Sequence, residues 1–257
     1  MWSLAAAIYL GLKWLMLQRS QVSSSYTRCL GFLFAWPGMD ANTFLSTTRC
    51  VPAPTLSEWF WAVSKTGTGA VLLWIVARHV PQDRWLARGW VGMGGLILLL
   101  HFGIFQLAAL GWQSAGVKAD PIMFKPLHSK SLAEFWGRRW NLGFRQLAHE
   151  LVFRPLCRRT GTALAGFAVF VVSGLIHDLV ISVPARGGYG LPTLYFVAQG
   201  GGVLIERSRL GQRLKLMNGV RGWCFTVLFL AAPLFLLFHP WFVTHVILPF
   251  MKAIHAL

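Results

Sequence analysis

The feature that most constrains the fold is a series of apolar runs, each close to the length that crosses a lipid bilayer. A membrane-spanning helix needs about 20 predominantly apolar residues. Such runs lie near 2–17, 59–77, 91–112, 162–183, 189–205 and 222–239, with a final apolar segment at 241–256. Only 12% of the residues are charged, whereas a soluble domain carries about 25%. The sequence therefore predicts an all-α, polytopic integral membrane helical bundle with about seven to eight transmembrane helices.

The segment 29–45 leaves the span count open. Its apolar part stops at Pro37-Gly38 and is too short to span, so it is re-entrant or a broken helix. If it does not cross, the loops on one side carry 17 Lys and Arg residues and those on the other carry 4. The first set is 18–58, 113–160 and 206–221, and the second is 78–90 and 184–190. Since cytoplasmic loops carry the excess of Lys and Arg, 113–160 is predicted to face the cytoplasm.

The net charge of +16 does not indicate a nucleic-acid partner. The Lys and Arg residues fall between apolar runs, as in basic loops that lie beside anionic membrane lipids. An anionic, phosphate-bearing substrate is compatible with the same loops. We expect one membrane-embedded domain, 1–257, in a multi-pass integral membrane protein of the cell inner membrane or the endoplasmic reticulum. The first apolar run is expected to remain as a helix rather than to act as a signal peptide.

The long segment 113–160 is predicted to contain two amphipathic helices at the membrane interface. Ser131-x-x-Glu134 has the pattern of a capping box at the start of the first helix. With regular helical spacing, that helix has a polar face and an aromatic face. The polar face carries Glu134, Arg138 and Asn141, and the aromatic face carries Phe135, Trp136 and Trp140. A second helix follows and is expected to end at Pro155.

His177 lies inside an apolar run, where an ionisable side chain is costly and is a functional hypothesis by default. Ser173 and Gly174 share its face and leave room for a substrate or a closely packed helix. The histidine is either a general base, since its unperturbed pKa lies near working pH, or a neutral group bonded to a neighbouring helix. Asp178 points about 100° away around the helix and is expected to have a structural role.

Asn141 carries both a donor and an acceptor, so it can polarise a carbonyl or fix a hydroxyl, although alone it has the pattern of a surface amide. Arg138 and Arg139 are candidates to contact phosphates. Their alternatives are lipid headgroups or an ion pair between Glu134 and Arg138.

Metal sites and disulfides are not predicted. The four cysteines Cys29, Cys50, Cys157 and Cys224 are scattered without a CxxC pair. His149-Glu150 lacks the second histidine of an HExxH motif. His101 either lines the same cavity as His177 or, as we expect, lies in the core.

The segment Ser131-Leu-Ala-Glu-Phe-Trp-Gly-Arg-Arg-Trp-Asn141 closely resembles a signature of the membrane-bound O-acyltransferase (MBOAT) superfamily, nearest to its wax synthase-like branch. In that branch the signature precedes an apolar S-G-x-x-H segment, which Ser173-Gly-Leu-Ile-His177 matches. Trp36-Pro-Gly-Met-Asp40 is similar to a segment near the start of that branch. The resemblance covers roughly 29–215, and with 257 residues the chain is short for this superfamily.

The resemblance implies an MBOAT-like fold and transfer of a long-chain acyl group from acyl-CoA to the hydroxyl of a lipophilic alcohol, with acyl-CoA as co-substrate and no other cofactor. It implies that His177 is the general base and that Asn141 positions the reacting groups or stabilises charge on the thioester oxygen. The candidate substrate-binding residues are Trp136, Arg138, Arg139, Trp140, Ser173 and Gly174.

The acceptor stays open between a long-chain alcohol, a diacylglycerol, a sterol-like hydroxyl and a secondary-metabolite hydroxyl. Two alternatives come from other classes of protein. One is a transporter that uses His177 as a proton relay, and the other is a non-catalytic lipid-binding protein. The oligomeric state is not predicted.

Overall fold

The regular structure of the chain is helical throughout the part that the computed structural model describes, residues 2–47 and 51–257. This confirms the predicted all-α membrane fold, in which every backbone polar group of a span is satisfied within its own helix. Contacts divide the chain into two compact units. The first unit is Trp2–Met123 together with Ile247–Leu257, and the second is Phe124–Val246. The single domain expected over 1–257 stays a prediction.

The first unit begins with helices that are joined by short loops or by π-helical turns. The helices are α1 (Trp2–Gln18), α2 (Tyr26–Phe34), α3 (Ala41–Leu45), α4 (Leu56–Val71), α5 (Ala77–His79), α6 (Trp85–Leu96) and α7 (Phe105–Ser114). π-helical segments at Leu72–Val76 and Ile97–Ile104 make α4–α5 and α6–α7 continuous, and a 3-10 turn at Gln82–Arg84 precedes α6. Thr55 and Glu58 form a complete capping box at the start of α4.

The segment 29–45 is a broken helix, one of its two predicted forms. Helix α2 has nine residues, about 13 Å at 1.5 Å per residue, which is too short to cross a bilayer. Side chains of α1 and α7 satisfy the carbonyls that the break leaves without an intrahelical partner. Tyr9 Oη donates to Trp36 O (3.2 Å), Lys13 Nζ to Gly38 O (2.6 Å) and Trp112 Nε1 to Ala35 O (3.0 Å).

The second unit contains the signature segment and the histidine helix. Its helices are α8 (Leu132–Glu134), α9 (Leu142–Ala148), α10 (Arg154–His177), α11 (Val183–Ala185), α12 (Leu191–Arg207), α13 (Arg209–Arg213), α14 (Gly219–Ala231), α15 (Leu234–Leu237) and α16 (Pro240–Phe242). A 3-10 turn occupies Pro126–His128, and π-helical segments occupy Phe135–Arg139, His149–Phe153, Asp178–Ser182 and Val243–Ile247. Helix α17 (Leu248–Ala253) returns to the first unit.

Helices α10 and α12 pack against each other and run antiparallel. A Cβ at Gly174 would lie 2.7 Å from the Cα of Thr193, so only glycine permits this approach. Farther from His177 along α10, Phe167 and Phe170 lie over Gly200, whose added Cβ would meet their rings at 2.9 and 3.1 Å. Late residues of α10 thus contact early residues of α12, and earlier residues of α10 contact later residues of α12. Arg207, at the end of α12, therefore lies near the start of the apolar part of α10.

Four helical stretches among the described residues are long and apolar enough to cross a membrane: Leu56–His79, Gln82–Ser114, Leu142–Ala185 and Gly219–Leu237. A shorter apolar helix occupies Ser3–Gln18. The predicted seven to eight spans are therefore not all matched by helices of this length, and the exact number stays a prediction. Pro155 does not end a helix as expected. It lies in the first turn of α10, directly after the π-helical segment His149–Phe153, and the helical stretch Leu142–Ala185 continues through it. The break comes instead at Gly161, with φ 81°.

Candidate active site

A cavity of about 660 Å³ lies within the second unit, between α10, α12 and the segments that carry the signature. Five of the predicted site residues line it: Trp136, Trp140, Asn141, Ser173 and His177. Asn141 and His177 are 36 positions apart in the sequence, yet both line this one cavity.

His177 is oriented by its own helix. Its Nδ1 lies 2.7 Å from the carbonyl oxygen of Ser173, one turn earlier. A carbonyl only accepts, so Nδ1 donates, and the neutral ring keeps its lone pair on Nε2. Phe196 of α12 lies against the imidazole, with ring centroids 4.4 Å apart. The arrangement fixes both the tautomer and the plane of the ring, as a general base requires.

Asn141 does not end the aromatic helix as predicted. The residues 135–139 are π-helical, and Trp140 is extended at φ −111°, ψ 128°. Asn141 is instead the N-cap of α9, in a left-handed conformation with φ 43° and ψ 59°. Its Oδ1 accepts from the Phe144 N–H at 3.2 Å. The wider π turn also removes the predicted shared face of Glu134, Arg138 and Asn141, because that face assumed regular α-helical spacing.

The motif helix, residues 132–139, is held at its start by Ser131 and by two carboxylates. Ser131 Oγ accepts a hydrogen bond from the Glu134 N–H (3.0 Å), which is one half of the predicted capping box. The other half is not formed, because Glu134 Oε2 accepts from Lys130 N (2.7 Å) rather than from Ser131 N. Glu206 of α12 supplies the rest. Its two carboxylate oxygens each accept a backbone N–H at 2.8 Å, from Leu132 and Ala133. Its side chain is fully buried.

Glu206 was not among the predicted site residues. It follows Leu132 by 74 positions, and only the proximity of α12 to the motif helix reveals their contact. A lone acidic residue at the end of an apolar run was the one available signal.

The two signature arginines and Gly174 do not line the cavity. Arg139 pairs with Glu134, with its Nη2 and Nε at 2.6 and 2.8 Å from Oε1, whereas the pair considered from the sequence was Glu134–Arg138. Arg138 is exposed. Gly174 is buried by the close approach of Thr193, which fits the predicted alternative of a packed helix. Their substrate-binding roles stay predictions.

The Arg139 pair also affects the acidity of Glu134. Burial, the largest single influence, raises the pKa of this carboxyl. The hydrogen bonds from Lys130 N and the Arg139 guanidinium, together with the positive charges of these residues, outweigh burial and hold the pKa below its ordinary value of 4.5.

One end of the cavity is basic and exposed. Arg145 and His149, from the helical segment before α10, line this end with Arg207 and Ser208 at the end of α12. We call these four residues the mouth. Ser173 and Phe196 at the other end are buried. Thr162, at the mouth end of α10, precedes His177 by fifteen residues, or about 22 Å of helix. The cavity thus leads from two cationic side chains to the histidine.

The walls between the two ends are mainly aromatic. Trp136 contacts two further aromatic side chains, with its ring centroid 6.0 Å from that of Phe170 and 5.5 Å from that of Phe196. Its indole N–H donates to Gln199 Oε1 at 3.4 Å, and Gln199, fully buried, donates in turn to Phe229 O at 2.6 Å. This chain of bonds satisfies the polar atom of the tryptophan, so that its ring can form an apolar wall.

Asp178 has the structural role that was expected. Its Oδ1 accepts from Gly190 N (2.9 Å) and from Ser182 Oγ (2.8 Å). Its Oδ2 accepts from the backbone N–H (3.0 Å) and the hydroxyl of Thr193. The carboxylate thereby caps the start of α12 and ties it to the turn after His177.

The other described candidates are not among the residues that line this cavity. His101 belongs to the first unit, in the π-helical segment before α7, and stacks edge-on against Phe105. Cys50 lies outside the described residues, and Cys29, Cys157 and Cys224 are free thiols. Among the residues that the structure describes, no three His, Cys, Asp or Glu side chains form a group that could hold a metal ion. The expectation of no metal stays a prediction.

Comparison with known proteins bears on the segment that forms this cavity. Residues 119–198 match the membrane bound O-acyl transferase family. Probable long-chain-alcohol O-fatty-acyltransferase 7 of Arabidopsis thaliana is 30% identical over 159 residues, 56% of this chain and 46% of that protein. Acyl-CoA–sterol O-acyltransferase 1 of the same plant is 37% identical over 77 residues, 27% of this chain and 22% of that protein.

A further relative, Probable long-chain-alcohol O-fatty-acyltransferase 6 of Arabidopsis thaliana, is 25% identical over 170 residues, 63% of this chain and 48% of that protein. These matches confirm the predicted resemblance to the MBOAT superfamily and its wax synthase-like branch. The chain spans less than half the length of each of these three relatives.

Proposed function

We propose, on the premise of this kinship, that the chain transfers a long-chain acyl group from acyl-CoA to the hydroxyl of a lipophilic alcohol. The family match includes both Asn141 and His177. The observation that carries the proposal is a single cavity that both residues line and that has a cationic mouth. A lipid-binding protein would need the cavity but neither the oriented imidazole nor the amide.

His177 acts as the general base in this proposal. Its Nε2 takes the proton of the acceptor hydroxyl while the hydroxyl oxygen attacks the thioester carbonyl carbon. The tetrahedral intermediate then expels the thiolate of coenzyme A as the carbon–sulfur bond breaks. The proton on Nε2 passes to that thiolate, so the products are an ester and free CoA-SH. The hydrogen bond from Nδ1 to Ser173 O stabilises the imidazolium formed between these steps.

Asn141 stabilises the negative charge that develops on the thioester oxygen. An amide N–H donor held by a rigid backbone can do this in a cavity that excludes water. Water exclusion also protects the thioester from hydrolysis. The aromatic wall around Trp136 supports both effects, because it lines the path with apolar surface.

The mouth binds the anionic part of the donor. Guanidinium groups form charge-assisted, often bidentate, hydrogen bonds with phosphates, and Arg145 and Arg207 line the mouth. Arg139, in contrast, is engaged by Glu134. We therefore assign the phosphates of coenzyme A to Arg145 and Arg207 rather than to the signature arginines. This assignment agrees with the prediction that 113–160 faces the cytoplasm.

The acceptor that we propose is a long-chain alcohol. Two of the three relatives reported above are named as probable long-chain-alcohol acyltransferases. The third is named for a sterol acceptor, so a sterol is the second acceptor to test. Diacylglycerol and secondary-metabolite hydroxyls stay open, as does non-catalytic lipid binding.

The test is ester formation by the purified full chain in lipid nanodiscs. Labelled hexadecanoyl-CoA is supplied with hexadecanol, a sterol or diacylglycerol, and both ester and free CoA are measured. His177→Ala should lower kcat by about 100- to 10,000-fold, the range for loss of a general base. His79→Ala is the matched control, since exposed His79 makes the same bond to a carbonyl four residues earlier (Nδ1 to Ile75 O, 2.8 Å).

Ester formation that persists in His177→Ala would refute the role of His177. If the wild-type chain forms neither ester nor free CoA with any of the acceptors, acyl transfer is refuted for this chain and a lipid-binding role is favoured.

A further inference from the structure

One face of α10 leads from the mouth to the histidine. Thr162, Gly166, Phe170, Ser173 and His177 are spaced by three or four residues, and all of them line the cavity. Gly166 precedes His177 by eleven residues, about 16 Å of helix. At Gly166 this face has no side chain, and an added Cβ would meet no heavy atom within 4 Å.

A second glycine with free space around it lies on the motif helix. Gly137 also lines the cavity, and a Cβ there would likewise meet nothing within 4 Å. Gly200 lines the cavity too, but its added Cβ would meet the rings of Phe167 and Phe170. Packing therefore explains the absence of a side chain at Gly200, whereas no neighbouring atom explains it at Gly137 or Gly166.

A helix-interior glycine without a packing role has a cost. Glycine destabilises a helix by about 0.5–1 kcal/mol relative to alanine, because it loses more backbone entropy on folding. Gly166 lies well inside α10. Alanine there would stabilise the helix and clash with no atom, but any side chain at this position would occupy volume of the cavity, because Gly166 lines it.

We propose that Gly166 and Gly137 are donor-binding residues that keep the passage open for the arm of a coenzyme A thioester. This inference rests on the proposed function. Phosphates bound by Arg145 and Arg207 lie at the mouth, and the thioester must reach His177 at the far end. The arm that connects them passes Gly166, so this site admits the donor whatever the length of its acyl chain.

The test compares Gly166→Leu with Gly166→Ala and with Gly201→Leu. Gly201 is the matched control, because it lies inside α12, its added Cβ meets nothing within 4 Å, and it does not line the cavity. Dodecanoyl-, hexadecanoyl- and octadecanoyl-CoA are each titrated at saturating alcohol. Thermal unfolding of each variant checks that the fold is retained.

Gly166→Leu should raise the KM for all three donors together, by about tenfold or more, the scale of size exclusion in an apolar pocket. The KM for the alcohol should stay unchanged, and Gly201→Leu should behave as wild type. A changed preference among the three donors would overturn the inference, since the acyl chain rather than the arm would then lie at Gly166. An unchanged donor KM would overturn it as well.

Direct binding of labelled hexadecanoyl-CoA separates this inference from the proposed function. If the wild-type chain binds the thioester but forms no ester, the acyl-transfer proposal fails. Weaker binding of the thioester by Gly166→Leu than by Gly201→Leu would still support the proposed role of Gly166 in keeping the passage open. Equal binding by these two variants, or no binding by the wild-type chain, would overturn it.

Discussion

Asn141 meets two separate demands, one on its backbone and one on its side chain. Its left-handed backbone (φ 43°) costs most residues roughly 1–2 kcal/mol and costs Asn less. Its Oδ1 caps α9 through the Phe144 N–H. Asn141→Gly should therefore change stability by only a few tenths of a kcal/mol, while Asn141→Ala should lose about 0.5–2 kcal/mol. Both variants remove the amide and should lose most ester formation.

Thermal unfolding and an ester assay of the two Asn141 variants give the comparison. Full activity in Asn141→Gly would show that the residue serves α9 alone. An inactive but stable Asn141→Gly would separate the chemical role of the amide from its structural one.

At the residue scale, the sequence singles out a candidate where the signal is local. A histidine in an apolar run is costly, and His177 lines the cavity, while its catalytic role stays a prediction. Arg145 and Arg207 were not singled out among the basic residues. Their position at the mouth depends on the antiparallel packing of α10 and α12, which no local pattern contains.

At the scale of helices, Glu206 couples α12 to the motif helix. Its two oxygens accept the N–H groups of Leu132 and Ala133 in a fully buried setting. Glu206→Ala would leave both donors without this acceptor, at about 1–3 kcal/mol each. We expect a large loss of stability and of ester formation. Glu206→Gln keeps one carbonyl oxygen and should recover part of both.

The measurements for Glu206 are thermal unfolding, kcat and the KM for acyl-CoA. A fall in kcat at unchanged KM in the stable Gln variant would indicate that Glu206 positions Asn141 relative to His177. Wild-type stability and kcat in Glu206→Ala would contradict the coupling.

The Glu134–Arg139 pair predicts a dependence of stability on acid pH. The pKa of Glu134 is lower in the folded chain than its ordinary value of 4.5. The pair therefore stabilises the fold above pH 4.5, and this contribution is lost as pH falls below 4.5 through the folded pKa. Since the pair is partly exposed, the effect should be about 0.5 kcal/mol. Glu134→Gln should be less stable than wild type at pH 7 and equal to it at strongly acidic pH.

Unfolding by denaturant at a series of pH values measures this difference. Arg139→Gln should show a weaker pH dependence than wild type without losing it entirely, because Glu134 keeps the hydrogen bond from Lys130 N. Parallel curves for wild type and Glu134→Gln down to strongly acidic pH would contradict the prediction.

The element boundaries that were predicted incorrectly share a physical cause. Regular spacing of 3.6 residues per turn placed Glu134, Arg138 and Asn141 on one face. The π turn at Phe135–Arg139 contains wider hydrogen-bonded loops, and no sequence periodicity distinguishes it from an α turn. The break in 29–45 was predictable because Pro37-Gly38 interrupts an apolar run and proline removes a backbone donor.

At the scale of the whole molecule, composition was sufficient to predict a helical membrane protein. Apolar length alone identified the four long stretches that the structure contains. It could not fix the number of spans, because α1 and α12 each have only 17 residues. Helices of this length lie at the lower limit of about 17–25 residues for a span. Their path across the membrane depends on tertiary contacts and not on hydropathy.

The orientation in the membrane is the prediction that depends most on the whole chain. Seventeen Lys and Arg residues lie on the side that contains 113–160, against four on the other, and basic loops stay in the cytoplasm. In a variant whose four cysteines are replaced by serine, we expect His128→Cys to react with an impermeant maleimide only after the membrane is permeabilised. Gln82→Cys, in the loop between two long apolar stretches, should react in intact cells. Both side chains are exposed, so a difference between them reports sidedness. Labelling of His128→Cys in intact cells would reverse the orientation and would place the cationic mouth on the side without acyl-CoA.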